Sequence, residues 1–208
     1  MIVSHKFNLV FIHIPKTGGS FIWETLLKLD PSAIRITDFE GVNLFGHLQL
    51  RDIERLDIYE DIKSYSFFTS IRNPLERYVS TYNYILSEPA HGEHSRVKEK
   101  NLSFYEFANT NHQHVGVMVD YITNKNGKIN KNIKLLRCNN LNGDLNNFLS
   151  NLNVPEDDLK RIEPFMKKPS NVSEKFFKED IDISKLNLND FHLKDLMFYL
   201  SLENVKKI

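Results

Sequence analysis

Two short stretches of the sequence carry residues that can bind an anion. The first is PKTGGS, in which Lys16 and Thr17 precede Gly18 and Gly19, and Ser20 follows them. A loop that leaves a strand and begins a helix exposes backbone N–H groups, and two glycines let the main chain approach a ligand closely. Lys16 adds a positive charge, and the Thr and Ser add hydroxyl groups. The pattern indicates a phosphate or sulfate site.

The order of residues in this loop differs from the Walker A motif of ATP- and GTP-binding proteins. In that motif, G-x-x-x-x-G-K-[ST], the lysine follows the glycines, and the Ser or Thr beside it binds Mg²⁺. Here Lys16 precedes both glycines. An ordinary tight turn is the alternative interpretation, but a hydrophobic segment before the loop and a helix-like segment after it favour anion binding.

The second stretch is IRNPLERYVSTY, residues 71–82. Arg72 follows a hydrophobic segment, Pro74 suits the first turn of a helix, and Ser80 lies about two turns into that helix. Arginine can bind a phosphate through two hydrogen bonds, and a serine hydroxyl can bind another of its oxygens. Taken alone, the stretch is explained more simply by a structural ion pair of Arg72.

The segments around both stretches alternate between strand-like and helix-like patterns. Apolar segments rich in β-branched and aromatic residues predict strands at 8–14, 33–39, 65–71 and 132–138. Apolar residues at helical spacing predict helices at 18–29, 50–62, 75–88, 103–109, 113–123 and 145–152, after Pro155 and at the C-terminus. This alternation predicts an α/β fold of three layers, with a central parallel sheet flanked by helices on both faces. Both stretches fall at the carboxyl ends of strands, where such sheets bind ligands.

The composition limits the class of protein. A chain of 208 residues suits a single domain, 1–208, to which we add a polar surface excursion around 89–102. The 27 basic and 27 acidic residues cancel, which argues against a nucleic-acid partner. One cysteine excludes an internal disulfide. With no targeting or membrane-spanning segment in the sequence, we expect a cytoplasmic protein without a membrane partner.

Together the two stretches resemble the sulfotransferases that use 3′-phosphoadenosine 5′-phosphosulfate (PAPS), and most of all the carbohydrate branch with its Golgi-type and bacterial members. IPKTGGSF is similar to the family's 5′-phosphosulfate loop, and IRNPLERYVSTY is similar to its 3′-phosphate motif. FGHLQL, residues 45–50, extends the resemblance. The resemblance implies a P-loop-like fold, and it implies that Arg72 and Ser80 hold the 3′-phosphate. The residues implied for the 5′ end of the donor are Lys16, Thr17, Gly18, Gly19 and Ser20.

The resemblance implies in-line transfer of a sulfuryl group to a hydroxyl, with 3′-phosphoadenosine 5′-phosphate (PAP) as product. This reaction needs a base for the hydroxyl proton and a cation beside the leaving phosphate. Lys16 is the candidate cation. His47 is the candidate base, because related carbohydrate enzymes use a His or a Glu, although a capping or core histidine is the alternative. Glu24 is the second candidate base and is also placed to pair with Lys28.

Four further residues are candidates for contact with the acceptor: Arg51, Arg77, Asn111 and Gln113. The two arginines fit a surface ion pair equally well, and the Asn-x-Gln element is similar to one that some family members place near the active site. We expect no metal site, because the histidines beside Gln113 lack a third ligand. His13, in a predicted buried strand, is expected to be a hydrogen-bonded core residue.

The sequence therefore predicts a sulfotransferase that acts on a hydroxyl of a small molecule or carbohydrate. The acceptor-binding elements of so short a chain can come from a second subunit, so a homo-oligomer stays open. An ATP-dependent P-loop-like kinase and a non-catalytic adenine-nucleotide-binding protein are the alternatives. ATP has no 3′-phosphate and would leave Arg72 unused, and the Walker A pattern is missing.

Overall fold

The computed structural model describes residues 1–110, 116–167, 177, 180–187 and 190–204. The chain divides into two compact units. The first consists of Met1–Ile71 and Met118–Asn171, and the second of Arg72–Val117 and Val172–Ile208. The single domain expected from the chain length stays a prediction.

The first unit is built on a five-stranded sheet. In chain order the strands of this unit are β1 (Ile2–Ser4), β2 (Leu9–Ile12), β3 (Ile34–Arg35), β4 (Asp38–Phe39), β5 (Val42–Asn43), β6 (Ser66–Ile71) and β7 (Lys134–Arg137). The sheet has the order β3-β1-β2-β6-β7, and β4 pairs with β5 in a separate hairpin. Strands β2, β6 and β7 are parallel, whereas β1 is antiparallel to β2 and β3.

The helices flank this sheet or form the second unit. They are α1 (Gly19–Leu29), α2 (Leu50–Ile53), α3 (Tyr59–Ile62), α4 (Pro74–Ser87), α5 (His94–Glu99), α6 (Phe104–Ala108), α7 (Leu141–Asn151), α8 (Glu156–Met166) and α9 (Asp190–Asn204). The predicted α/β fold with a central sheet flanked by helices is confirmed. Parallel pairing in this sheet is confined to β2, β6 and β7.

Three predicted elements differ from the structure. The strand predicted at 33–39 is split between β3 and β4, and the helix predicted at 50–62 is split into α2 and α3. Of the helix predicted at 113–123, Met118–Ile122 forms a 3-10 helix, and residues 111–115 lie outside the described residues. The segment 89–102 contains α5, in which His94 and Val97 are buried.

Helix α1 is anchored to the sheet along its whole length. Phe21, Ile22, Leu26 and Leu29 are buried in one cluster with strand residues such as Phe11. Each such side chain contributes about 1.5–3 kcal/mol through burial. Because α1 is held in this way, its first turn stays at the carboxyl end of β2.

The second unit is helical in its described part, and α4 packs against α5, α6 and α9. Tyr78 and Ile85 of α4 are buried in a cluster with Val97, Phe104 and Phe107. This cluster fixes the helix that carries the second candidate stretch.

Candidate functional site

The turn between β2 and α1 leaves backbone N–H groups open. Lys16 and Gly18 adopt left-handed backbone conformations, with φ of +63° and +88°. Helix α1 begins at Gly19 with no hydrogen bond from a capping side chain. The first hydrogen bond back along the helix runs from the Ile22 N–H to the Gly18 carbonyl at 3.4 Å. The three N–H groups that precede this bond have no acceptor within the helix and can bind an anion.

The side chain of Thr17 holds this turn from inside the unit. It is fully buried, and its hydroxyl donates to the Ile14 carbonyl at 2.9 Å and lies 2.8 Å from the Ser70 Oγ. Ser70 belongs to β6, so the bond joins the loop after β2 to the neighbouring strand β6. The donor proton of Thr17 is therefore used within the protein, and its backbone N–H is the group left for an anion. Ser20, by contrast, is exposed.

Close packing requires both glycines of the turn. A β-carbon on Gly18 would lie 2.6 Å from Leu141 Cδ2, and one on Gly19 would lie 1.9 Å from His13 Cδ2. Both distances are too short for real contacts. Glycine is thus needed at position 18 for its backbone conformation and at position 19 for the space that the His13 ring occupies.

The ring of His13 packs against other rings rather than polar groups. Its centroid lies 4.4 Å from that of His47 and 5.7 Å from that of Trp23. The buried Nδ1 has no hydrogen-bond partner among the described residues, so the expectation of a hydrogen-bonded core histidine is wrong. Burial, with the nearby charges of His47 and Lys16 adding to it, lowers the pKa of His13 well below its ordinary value. The ring is therefore uncharged at neutral pH.

His47 lies between β5 and α2 and contacts the end of β2. Its Nδ1 is 2.9 Å from the carbonyl oxygen of His13. Because a carbonyl oxygen only accepts, the Nδ1 carries the proton, and in the neutral ring the lone pair is on Nε2. That tautomer is the one a general base needs.

Neighbouring contacts hold the loop that carries His47. Gly46 has a φ of +82°, and a β-carbon there would lie 2.7 Å from Trp23 Cζ3. The backbone nitrogen of Met1 donates to the Gly46 carbonyl at 2.6 Å. The loop is thus fixed between β1 and α1.

Two other candidates of the first unit lie at its surface. Arg51, on α2, and Glu24, on α1, are both exposed. The alternative role of Glu24, an ion pair with Lys28, is not formed between these two described residues; the Lys28 ammonium lies over the Phe165 ring, 4.8 Å from its centroid.

In the second unit, the turn that begins α4 is closed by its own side chain. The Asn73 Oδ1 accepts from the N–H groups of Leu75 at 3.0 Å and Glu76 at 3.5 Å, and Pro74 occupies the first helical position. Arg72 follows the last residue of β6, and its Nε lies 3.4 Å from the Glu76 Oε2. The Arg72 side chain is 28% exposed, so its guanidinium reaches solvent.

Helix α4 carries two more candidates, Ser80 and Arg77. Ser80 is half-buried. Arg77 is buried, and its Nη1 donates to the Gly116 carbonyl at 2.8 Å and lies 3.2 Å from the Asp195 Oδ2. The suggestion of a surface ion pair is therefore corrected to a buried one, and this engagement favours a structural role for Arg77. Asn111 and Gln113 lie outside the described residues.

The family model described as "Sulfotransferase family" matches residues 1–199. This chain belongs to the sulfotransferase family. The resemblance found in the two stretches is thereby confirmed. Comparisons with curated proteins and with solved structures found no match.

In this sulfotransferase, the first unit brings together an open helix start, a lysine and a histidine with a defined tautomer. Sequence reasoning missed three residues that build this arrangement: His13, Trp23 and Ser70. The position of His13 at a strand end, directly before the glycine loop, was a usable signal. Nothing in the sequence pattern marks the other two as neighbours of the loop.

The described residues of this sulfotransferase offer neither a metal site nor a helix that spans a membrane. In that part of the chain, no group of three or more His, Cys, Asp or Glu side chains is placed to hold a metal ion. None of its described helices is both long enough and apolar enough to cross a membrane.

Proposed function

We propose that this sulfotransferase transfers the sulfuryl group of PAPS to a hydroxyl of a sugar or glycoconjugate and releases PAP. One observation carries the proposal. The His47 Nδ1 is bound to the His13 carbonyl at the end of β2, the strand from which the loop with Lys16 leaves. A base in the right tautomer therefore adjoins an open anion-binding turn.

The donor's 5′ end suits the turn that begins α1. The N–H groups at the start of this helix and the Lys16 ammonium are donors for the oxygens of a phosphosulfate. Gly18 permits the left-handed turn, and Thr17 contributes through its backbone, because its hydroxyl is used within the protein.

The donor's 3′-phosphate is assigned to Arg72 and Ser80 on the strength of the family resemblance. Two features of the second unit support this part of the proposal. The guanidinium of Arg72 reaches solvent, and its ion pair with the exposed Glu76 is long, at 3.4 Å. Such a pair contributes little, so a phosphate can replace it at low cost.

The reaction is a single in-line displacement. The acceptor oxygen bonds to the sulfur as the bond from sulfur to the bridging phosphate oxygen breaks. The Nε2 of His47 takes the hydroxyl proton, and the Lys16 ammonium stabilises the charge that develops on the leaving 5′-phosphate. The products are a sulfate ester, PAP and a proton held by His47. Glu24, exposed on α1, is the second candidate base.

The acceptor is assigned to the carbohydrate class by the same resemblance. Arg51, exposed on the helix that follows His47, is the acceptor-binding candidate with the best support from its position. Asn111 and Gln113 stay candidates on the resemblance alone. The proposed reaction uses no metal ion.

A binding comparison tests the choice of donor. Isothermal titration calorimetry with PAP, AMP and ATP should show that PAP binds about 10–100-fold more tightly than AMP, because a charge-assisted hydrogen bond contributes about 1.5–3 kcal/mol. Arg72→Met should remove this preference. Lys131→Met, which removes a charge from an exposed turn, should leave it unchanged. If AMP binds as well as PAP, the proposal fails, and tighter binding of ATP with Mg²⁺ would favour a kinase.

A transfer assay tests the base. The wild-type protein should move radiolabelled sulfate from PAPS to at least one member of a panel of mono- and oligosaccharides. His47→Ala should lower this rate by about 10²–10⁴-fold and change PAP affinity by less than about twofold. The matched control is His5→Ala, which removes an exposed histidine. Full activity of His47→Ala would move the base to Glu24 or elsewhere, and PAP binding without transfer by the wild-type protein would favour a non-catalytic role.

A further inference from the structure

The imidazole of His13 lies between the two halves of the proposed reaction site. On one side, the space of the missing Gly19 β-carbon is filled by the ring edge, at 1.9 Å from Cδ2 and 2.2 Å from Nε2. On the other side, the ring of His47 lies at a centroid distance of 4.4 Å, with the planes inclined at 52°. The same ring therefore contacts the start of α1 and the candidate base.

The Nδ1 atom of His13 does not explain why a histidine is present there. The buried Nδ1 has no partner among the described residues, and leaving such an atom unpaired costs about 1–3 kcal/mol. Burial also keeps the ring uncharged. What the side chain supplies is a flat ring of fixed size, placed where an alanine at position 19 would collide with it.

A third contact limits the movement of this ring. Trp23, on α1, lies 5.7 Å from His13 between ring centroids, and its Cζ3 fills the space of the missing Gly46 β-carbon. The tryptophan thus supports both the His13 ring and the loop that precedes His47. Neither histidine can shift without moving these neighbours.

We propose that His13 is a positioning residue, whose ring acts as a spacer that sets the distance between the anion-binding turn and His47. This inference rests on the proposed function, in which His47 is the base. Misplacing a reacting group by about 1 Å can cost about 10²-fold in rate. The spacer therefore controls turnover and not donor affinity, because the N–H groups that bind the donor belong to α1.

Two substitutions separate the spacer from other roles. His13→Ala removes the ring, whereas His13→Phe keeps a flat ring and removes both nitrogen atoms. For transfer from PAPS to the saccharide panel, His13→Ala should lower kcat about 10²-fold with KM for PAPS and PAP affinity within about twofold. His13→Phe should recover kcat to within about tenfold of the wild-type value. His94→Ala, which removes a buried histidine of the second unit, controls for a general loss of stability.

A spectroscopic measurement tests the inference without an acceptor. The ¹⁵N chemical shifts of His47 distinguish its two tautomers. The wild-type protein and His13→Phe should show the Nδ1–H form, and His13→Ala should show a mixture of both forms. The tautomer of His47 is measured independently of the donor test. Equal binding of PAP and AMP would contradict the proposed function but would leave the tautomer result for the spacer unchanged.

Three results would overturn the spacer. One is a His13→Ala protein that keeps the wild-type kcat and the single His47 tautomer. Another is a His13→Phe protein as impaired as His13→Ala, because the nitrogen atoms would then be the part that matters. Parallel loss of kcat and PAP affinity in His13→Ala, matched by His94→Ala, would likewise reduce His13 to a structural residue.

Discussion

The two strand-to-helix turns of this protein follow neighbouring parallel strands, β2 and β6, yet they use the start of the helix in opposite ways. Helix α1 begins at Gly19 without a capping side chain, and its first N–H groups are open. Helix α4 begins after Asn73, whose side chain accepts from the N–H groups of Leu75 and Glu76. The first turn is open to a ligand, and the second is closed by the protein itself.

This difference shows where each turn can obtain affinity for an anion. In the first, the main chain supplies the donors, so backbone shape and glycine content decide the affinity. In the second, the main-chain donors are already used, so a side chain such as Arg72 must supply the contact. Backbone changes should therefore harm the first turn most, and side-chain changes the second.

The largest effect is expected from closing the first turn. Gly19→Ala places a β-carbon 1.9 Å from the edge of the His13 ring. We expect a loss of about 1–3 kcal/mol in the free energy of unfolding and a loss of PAP affinity of about 100-fold or more, measured by denaturant titration and calorimetry. Gly92→Ala is the matched control, because a β-carbon there meets no atom within 4 Å. PAP affinity that survives in Gly19→Ala would show that this turn does not bind the donor.

A smaller effect on stability, but a large one on rate, is expected at Lys16. Its φ of +63° is unfavourable for a residue with a β-carbon, so Lys16→Gly should keep the free energy of unfolding or raise it by up to about 1 kcal/mol. The same change should lower the rate of sulfuryl transfer by about 10²–10³-fold, because the leaving phosphate loses its cation. Lys16→Met, which keeps the β-carbon, should lose the rate without the gain in stability. Equal rates of wild type and Lys16→Gly would remove Lys16 from the mechanism.

At the second turn we expect a change in stability with little change in donor binding. Asn73→Ala removes the cap of α4 and should cost about 1 kcal/mol in the free energy of unfolding. PAP affinity should change by less than about threefold, because the N–H groups freed in this way were not donor contacts. Asn73→Ser keeps a capping oxygen and should restore most of the stability. A large loss of PAP affinity in Asn73→Ala alone would mean that the two turns are more alike than their hydrogen bonds indicate.

The last effect is a pH dependence of the stability that comes from His13. Its pKa in the folded protein is well below the ordinary 6.5, so only the unfolded chain takes up a proton as the pH falls below that value. Stability is therefore lost toward acid. Between pH 7.5 and 5.5, the wild-type protein should lose up to about 1.4 kcal/mol relative to His13→Phe, measured by denaturant titration at each pH. A constant difference would show that His13 takes up a proton in the folded state.

Sequence patterns predicted the elements around both turns because each has a strong local signal. Pro15 ends the predicted apolar strand and Pro74 begins the predicted helix, so the two prolines mark where the chain turns. The antiparallel edge was missed because β1 has only three residues, too few for a pattern, and because β3 is only two residues of the strand predicted at 33–39. The break between α2 and α3 was missed because apolar periodicity continues across it.

The sequence predicted which residues belong to the site but not how they are arranged in space. Lys16 and Arg72 were found because charge beside a strand end is a local pattern. That one turn is open and the other closed was readable only in part, since Asn73 before Pro74 is a capping signal. The contact between His13 and His47 joins residues 34 positions apart. Their distance depends on how β2 and the His47 loop pack, which residue spacing does not encode.

The packing of Trp23 against His13 and the His47 loop has a practical consequence. This is the only tryptophan of the 208 residues. Its indole lies in ring contact with His13 and is packed on Gly46, so its emission should respond to events at this site rather than elsewhere in the chain. The intrinsic fluorescence of Trp23 therefore reports on this site. Binding of candidate acceptors can be screened by following this emission in the unmodified chain.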